Sequence, residues 1–375
     1  MIPINSKLMG LQRSAIRAYT NLAKTVDDCV MLTIGEPDFD TPQPIKDAAI
    51  AALEANQTHY APNQGTEALR AAIATFESKR GNICSDANVL VTVGACEALF
   101  TGLFGILNPG DEVIVPTPRF LLYDTIIAVA GAKLVPLDLT KTDFQITKEA
   151  LDALITPKTK AIILNSPNNP TGAVYSADSL ENVKAAVLGK PIYVVCDNVY
   201  QQLALTPVPD LTKDADLKEQ VLLCQSFSKP YAMTGWRCGY LTGPEDVIGR
   251  LLLLHAGLVT TVPPFVQTAC ITALETDPAP MAQAYAKRRA YVCSRLRAMG
   301  LSFPEPEGAF YVFPNIERFG LTSADFCTRM IKEAKVATVP GSCFGGEGHI
   351  RISYCCSDEN LKKGLDRMEA FLKTL

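Results

Sequence analysis

Five short apolar runs punctuate the chain between residues 88 and 228: NVLVTVG, DEVIVPTP, KAIILNSP, KPIYVVCDN and QVLLCQSFS. Each is apolar throughout rather than alternating, and longer segments of helical period separate them. Runs of this kind read as strands buried on both faces of a mostly parallel sheet covered by helices. The intervening helices carry suitable punctuation: ACEALFTGLFGIL runs into the stop signal NPGD, and Ser176 is placed to cap SLENVKAAVLGK. Near residue 280 the texture changes. After TDPAP, the stretch MAQAYAKRRAYVCSRLRAMG reads as one long helix, and GAFYVFP and HIRISYC alternate as half-exposed strands do. The expected architecture is α/β, with a large domain over 45–278. A smaller α+β domain is expected from 279–375 together with an N-terminal arm, 1–44.

Composition narrows the classes. With 375 residues, 48% hydrophobic and 20% charged, the chain can bury one large core or two modest ones. A net charge of -4 without basic runs leaves no electrostatic footprint for nucleic acid. No apolar stretch approaches the roughly 20 residues that span a bilayer, so no membrane partner is expected. MIPINSKLMGLQRSAIR lacks the apolar core of a signal peptide, which places the expected protein in the cytoplasm. The twelve scattered cysteines read as reduced thiols, and three histidines without CxxC or HExxH spacing give no metal site.

The chemistry gathers where the runs end. After VTVG come Ala95, Cys96 and Glu97, opening a helix; after VPTP come Arg119, Phe120 and Tyr123. After ILNSP come Asn168 and Asn169, after YVVC come Asp197 and Tyr200, and after LLCQ come Ser226 and Lys229. Ligands of open parallel sheets bind beyond the carboxyl ends of the strands, so these clusters converge on one mouth. The helix opening at Ala95 offers free backbone N–H groups to a phosphate, and Ser226 and Arg237 can complete a dianion site. Phe120 can stack on a flat ring, and Asp197 can keep a ring nitrogen protonated. Tyr200 and Asn169 can reach a phenolic oxygen. A shielded lysine, Lys229, is a Schiff-base former. Together these parts describe pyridoxal 5'-phosphate. Taken singly each has a plainer reading: Asp197 and Asn169 as turn residues, Arg237 stacked on Trp236, Phe120 and Tyr123 as core, Arg351 as a solvated strand residue, Tyr60 as a loop aromatic.

The motifs IGEPDFDTP, HYAPNQGTEALRAAIA, VGACEAL, SPNNPTG, CDNVY, SFSKPYAMTGWRCGY, PEGAFYVF and IRISY, in this order, resemble the class I/II, fold-type I aminotransferases over essentially the whole chain. The resemblance implies ping-pong exchange of an amino group between an L-amino acid and a 2-oxo acid, with pyridoxal phosphate as cofactor. It makes Lys229 the Schiff-base lysine and proton-transfer group. Asp197 then pairs with the pyridine nitrogen, Tyr200 and Asn169 with the phenolic oxygen, and Phe120 with the ring face. Ser226, Arg237 and the Ala95 and Cys96 amides take the phosphate. Arg351 takes the substrate α-carboxylate, with the Gly35 backbone beside it. Tyr60 would reach the phosphate of a neighbouring subunit, which implies a homodimer with shared sites. Two other functions stay open on this fold: a C–S β-lyase and a non-catalytic pyridoxal-phosphate-binding regulator. The sequence departs from the bacterial aspartate aminotransferases at Cys96, where GACEAL stands against their GGKQAL. Arg119 either supplies a distal cation or faces solvent; Ile16, Tyr19 and Phe310, if they border the substrate, favour apolar or aromatic donors.

Overall fold

The five expected runs form strands of one seven-stranded sheet: β1 (Val89–Thr92), β2 (Glu112–Thr117), β4 (Thr159–Asn165), β5 (Tyr193–Asp197) and β6 (Val221–Ser226). Two further strands, β3 (Lys133–Asp138) and β7 (Gly239–Thr242), complete it in the order β1-β7-β6-β5-β4-β2-β3. The computed structural model of the chain describes residues 2, 4–11, 15–82, 84–204 and 206–375; residues 1, 3 and 12–14 of the expected N-terminal arm lie outside these. Strands β2 to β6 pair in parallel, whereas β7 runs antiparallel to both β6 and β1. The apolar runs do not alternate because successive residues enter two different cores. Ile114, Ile162, Val194 and Leu223 pack on one face, and Val113, Val115, Ile163, Val195 and Leu222 on the other. β3 lies at the sheet edge, where exposed positions and Pro136 are tolerated.

The remainder builds around a three-stranded antiparallel sheet, β8 (Tyr311–Val312), β9 (Val339–Pro340) and β10 (Ile350–Ser353), in the order β9-β10-β8. The Ala279–Ala298 and Asp358–Leu372 helices pack on it through Tyr285, Val292, Leu365 and Met368. Val30 and Leu32 enter the same core, and Val30–Met31 pairs in parallel with Val336–Ala337. The reading of GAFYVFP and HIRISYC as half-exposed strands is corrected here: every residue of β8 and β10 is buried. Ile350 and Ile352 face apolar core. Arg351, at the polar position of the alternation, faces a cavity between the two sheets instead of solvent. None of the helices of the described residues is long and apolar enough to cross a membrane. The twelve cysteines are free thiols, seven of them buried.

Candidate active site

Nearly all the residues singled out from the sequence meet in one cavity of about 280 Å³, the size of a small-molecule site. Its lining includes Gly35, Ala95, Cys96, Phe120, Asn169, Asp197, Tyr200, Ser226, Lys229, Arg237 and Arg351. They are brought together by strand order. β4, β5 and β6 are neighbours, so the segments leaving them lie side by side, and β7 returns Arg237 to the same edge. Tyr60 is outside the cavity, 90% exposed, on a surface shared with Val259, Pro263, Pro264 and Phe265.

One end of the cavity is built for a dianion. The Gly94–Ile106 helix begins there. Glu97 Oε2 accepts the Val93 N–H at 2.8 Å, but the N-cap residue's side chain takes none of the first-turn amides, which leaves a positive helix terminus at Ala95 and Cys96. Gly94 has φ +75, and a Cβ on it would stand 2.6 Å from Arg237 Nη2. Gly239 is as closely held: its Cβ would meet Gln225 O at 2.6 Å and the Ala95 nitrogen at 3.0 Å. Arg237 itself adopts the left-handed conformation, with φ 54 and ψ 57, and donates to Thr234 O at 2.9 Å. Such backbone persists where surrounding structure demands it. Ser226 Oγ accepts the Ser228 N–H at 3.1 Å, leaving its own proton for a ligand.

Asp197 ends β5 and is buried. Tyr123 O–H donates to its Oδ2 at 2.6 Å, while Oδ1 is buried without a partner among the described residues. Burial pushes the carboxyl up to about 6, with hydrogen bonds from Tyr123 and the Val199 N–H and the Lys229 charge opposing the rise. A folded-state pKa above the unfolded one costs stability as pH rises from about 4 to about 6, because the native state must give up a proton it holds more tightly. The penalty is fully present at neutral pH, on the order of 3 kcal/mol. In cofactor-free protein, Asp197→Asn is therefore expected to raise Tm at pH 7, with the gain vanishing near pH 4; thermal melts across that range check it.

Lys229 is half-buried, and its Nζ donates to Gly35 O at 2.6 Å. Burial lowers its pKa, and the nearby Arg237 charge adds to this against the opposing effect of Glu36. The neutral amine, the nucleophilic form, is favoured accordingly. Arg351 is 1% exposed, and no carboxylate pairs with it among the described residues. It donates to Asn169 Oδ1 at 2.9 Å and to Thr33 O, between the rings of Tyr311 and Phe344. Its Nε is buried without a partner. A buried cation in this state is poised for an anion.

Two residues that sequence reasoning did not single out, and Tyr123, to which it assigned no role, complete the site. Asn165 donates to Asp197 O and accepts the Asn169 N–H, tying two clusters together; a polar residue closing an apolar run was its available signal. Tyr311 shares a 3.0 Å hydrogen bond with Tyr200 through their hydroxyls, and a Cβ on Gly35 would overlap its hydroxyl. Tyr123 was placed at the strand-end mouth without a role, with core as its plainer reading. Tyr311 has no local signal. Of the expected substrate-bordering residues, Ile16 lines the cavity. Phe310 does not, being fully buried behind it, and Tyr19 turns to Ala324 O. Arg119 makes a two-point ion pair with Asp124, at 2.7 Å each, outside the lining.

The family model described as aminotransferase class I and II matches residues 27–368. The chain is 38% identical to a probable N-acetyl-LL-diaminopimelate aminotransferase of Bacillus subtilis, over 98% of this chain and 95% of that protein. It is also 38% identical to aromatic-amino-acid aminotransferase 2 of Thermococcus litoralis, over 99% and 98%. Among solved structures, aspartate aminotransferase from Thermus thermophilus with maleate superposes with a TM-score of 0.94 at 36% identity, covering 99% of this chain and all of that one. With a parallel sheet whose strand ends converge on one cavity, and this agreement along nearly its full length, the chain belongs to the class I and II aminotransferases.

Proposed function

We propose that this aminotransferase uses pyridoxal 5'-phosphate held in the cavity described above, and that it moves an amino group from an apolar or aromatic L-amino acid to a 2-oxo acid. The observation that carries this is the meeting in one cavity of Lys229, the half-satisfied buried Asp197 and the unpaired buried Arg351. The residues fit the cofactor. The close-packed Gly94–Arg237 cradle and the uncapped helix start suit its phosphate, and the free Oδ1 of Asp197 suits a ring N–H. Phe120 offers an apolar face for the ring, and Tyr200 and Asn169 offer polar atoms for its phenolic oxygen. When bound, pyridoxal phosphate supplies an aldehyde for amines and a cationic ring that takes up the electron pair of a broken Cα–H bond.

The chain's residues do the rest. Arg351 holds the substrate α-carboxylate, and with it the direction of the Cα–H bond, an orientation effect. Lys229 Nζ, its basicity lowered by burial, would be the group that accepts the α-proton and gives it back. Asp197, itself buried, would keep the ring nitrogen protonated by pairing with it.

The donor preference rests on the cations. Among the described lining residues they are Lys229, Arg237 and Arg351, each with a task at the cofactor or the α-carboxylate. Arg119 is held by Asp124. Ile16, Ile34, Leu99, Phe120 and Val199 are among the apolar residues of the lining. A second carboxylate thus finds no free cation there, although the relatives include enzymes named for aspartate. A panel of amino donors, followed by the cofactor's visible spectrum, tests both parts. Conversion by aromatic and aliphatic donors at rates well above aspartate is expected; efficient aspartate turnover with poor aromatic turnover overturns the preference. Donor-independent silence of a cofactor-loaded protein would instead restore the regulator reading.

The exposed Tyr60, on a surface that also carries Val259, Pro263, Pro264 and Phe265, supports a homodimer with shared sites. Sedimentation is expected to give twice the 40.5 kDa chain mass. A cytoplasmic protein, with a large domain over 45–278 and a small one from 1–44 and 279–375, completes the reading.

A further inference from the structure

We propose that Tyr123 is a positioning residue of this enzyme: its hydroxyl holds Asp197 so that one carboxylate oxygen is turned to the cavity and the proton of the Asp197–ring-nitrogen pair stays on the ring. The inference rests on the cofactor assignment above and concerns what controls it. Tyr123 lies in the first turn of the Leu122–Ala130 helix, 1% exposed, and does not line the cavity. Its only side-chain hydrogen bond among the described residues is the 2.6 Å donation to Asp197 Oδ2. The ring is edge-on to Phe120, at 5.9 Å between centroids, which holds the hydroxyl oxygen in place beside Asp197. Asp197 is anchored at its other side through its backbone, whose carbonyl accepts from Asn165. With Oδ2 taken and Oδ1 unpartnered, the side chain has a single oxygen left for a donor in the cavity.

A phenol is enough to orient the carboxylate but does not neutralise it. A cationic donor at the same place would pair fully with Asp197 and weaken its hold on a ring N–H; an apolar residue would leave a buried carboxylate with no side-chain donor and only the Val199 backbone N–H, a stronger base able to pull the ring proton away. Tyrosine sits between these limits. The titratable groups facing Asp197 are Tyr123 from its helix, Tyr200, Cys196 from β5 itself, Cys224 from β6, and Lys229 across the cavity. Of these side chains only Tyr123 is bonded to the carboxylate, and the pKa of its own hydroxyl is raised well above its ordinary value by burial and by Asp197, so the proton remains on the phenol.

The test compares wild type, Tyr123→Phe and a protein carrying 3-fluorotyrosine at position 123, a stronger donor of nearly the same shape. In cofactor-free protein, the 13C signal of the Asp197 carboxyl, assigned with Asp197→Asn, is followed against pH. With cofactor labelled at the ring nitrogen, the 15N shift of the bound ring is read. The expected result is an upward move of the Asp197 titration in Tyr123→Phe and a downward one with 3-fluorotyrosine. The 15N shift is expected to move toward neutral pyridine in the first and to keep its pyridinium value in the second. A ring nitrogen that is protonated in wild type and unchanged in Tyr123→Phe, with an unmoved Asp197 titration, overturns the role of Tyr123 while leaving the cofactor assignment intact. A wild-type protein that binds the cofactor with a neutral ring, or does not bind it, overturns both.

Discussion

Replacing Lys229 with alanine is expected to lower the transamination rate by at least roughly 10⁴-fold, with the cofactor still retained by the Gly94–Arg237 cradle and Asp197. The size of the loss follows from the two tasks of one amine. In the proposed mechanism it would form the covalent link to the cofactor and carry the α-proton; removing a nucleophile and a general base together would remove two steps at once. The remaining cations, Arg237 and Arg351, cannot deprotonate at neutral pH and do not substitute. Single-turnover reaction of cofactor-loaded Lys229→Ala with an amino donor measures the effect. A loss below about tenfold would mean that another base reaches the α-carbon, and the assignment of Lys229 would fail.

The second large effect is expected at Arg351. In Arg351→Ala, kcat/KM for every donor and acceptor should fall by an amount equivalent to about 2–5 kcal/mol, roughly 30- to several-thousand-fold. The guanidinium is buried between Tyr311 and Phe344 and has neutral oxygens as its partners, Asn169 Oδ1 and Thr33 O. A substrate carboxylate brings the charge this cation lacks. Without Arg351 the carboxylate would be desolvated against no partner, so binding and orientation suffer together. Arg351→Lys should recover only part of the loss, because an ammonium cannot make the planar two-point contact. Steady-state kinetics across the donor panel checks this: loss confined to one donor would place Arg351 at a side-chain subsite instead of the α-carboxylate.

Both predictions concern residues that are legible in the sequence, and for Lys229 the reason is local. A parallel strand must be followed by a turn, and the residues of that turn stay at the strand's carboxyl end wherever the strand sits in the sheet. Lys229, Asn169 and the Ala95 helix start are of this type, and Asp197 and Ser226 close the strands themselves. The apolar runs are equally local: burial on both sheet faces demands apolar residues at every position, and the residues of β2, β4, β5 and β6 divide between two cores as that demands. Arg351 was legible through its motif, IRISY, but not through its strand pattern. Alternation along HIRISYC pointed it at solvent; a cavity between two sheets is, for one strand position, indistinguishable in sequence from water.

Contacts between distant segments were decided only by the folded chain. Tyr123 meets Asp197 across 74 residues, Tyr200 meets Tyr311 across 111, and Arg351 meets Asn169 across 182. Such pairings depend on strand order and on how the small sheet closes over the large one, and no periodicity of a single segment encodes either. The same holds for β7, whose four residues and antiparallel direction bring Arg237 back to the helix start at Gly94. Chain chemistry alone established the layers and the types of group at the mouth of the sheet, because solvent exclusion and turn geometry act residue by residue. Tertiary packing decided which oxygen of Asp197 is free, which ring supports Arg351 and which arginine is already spent on Asp124, because each is settled by a partner far away in sequence or by the fold around it.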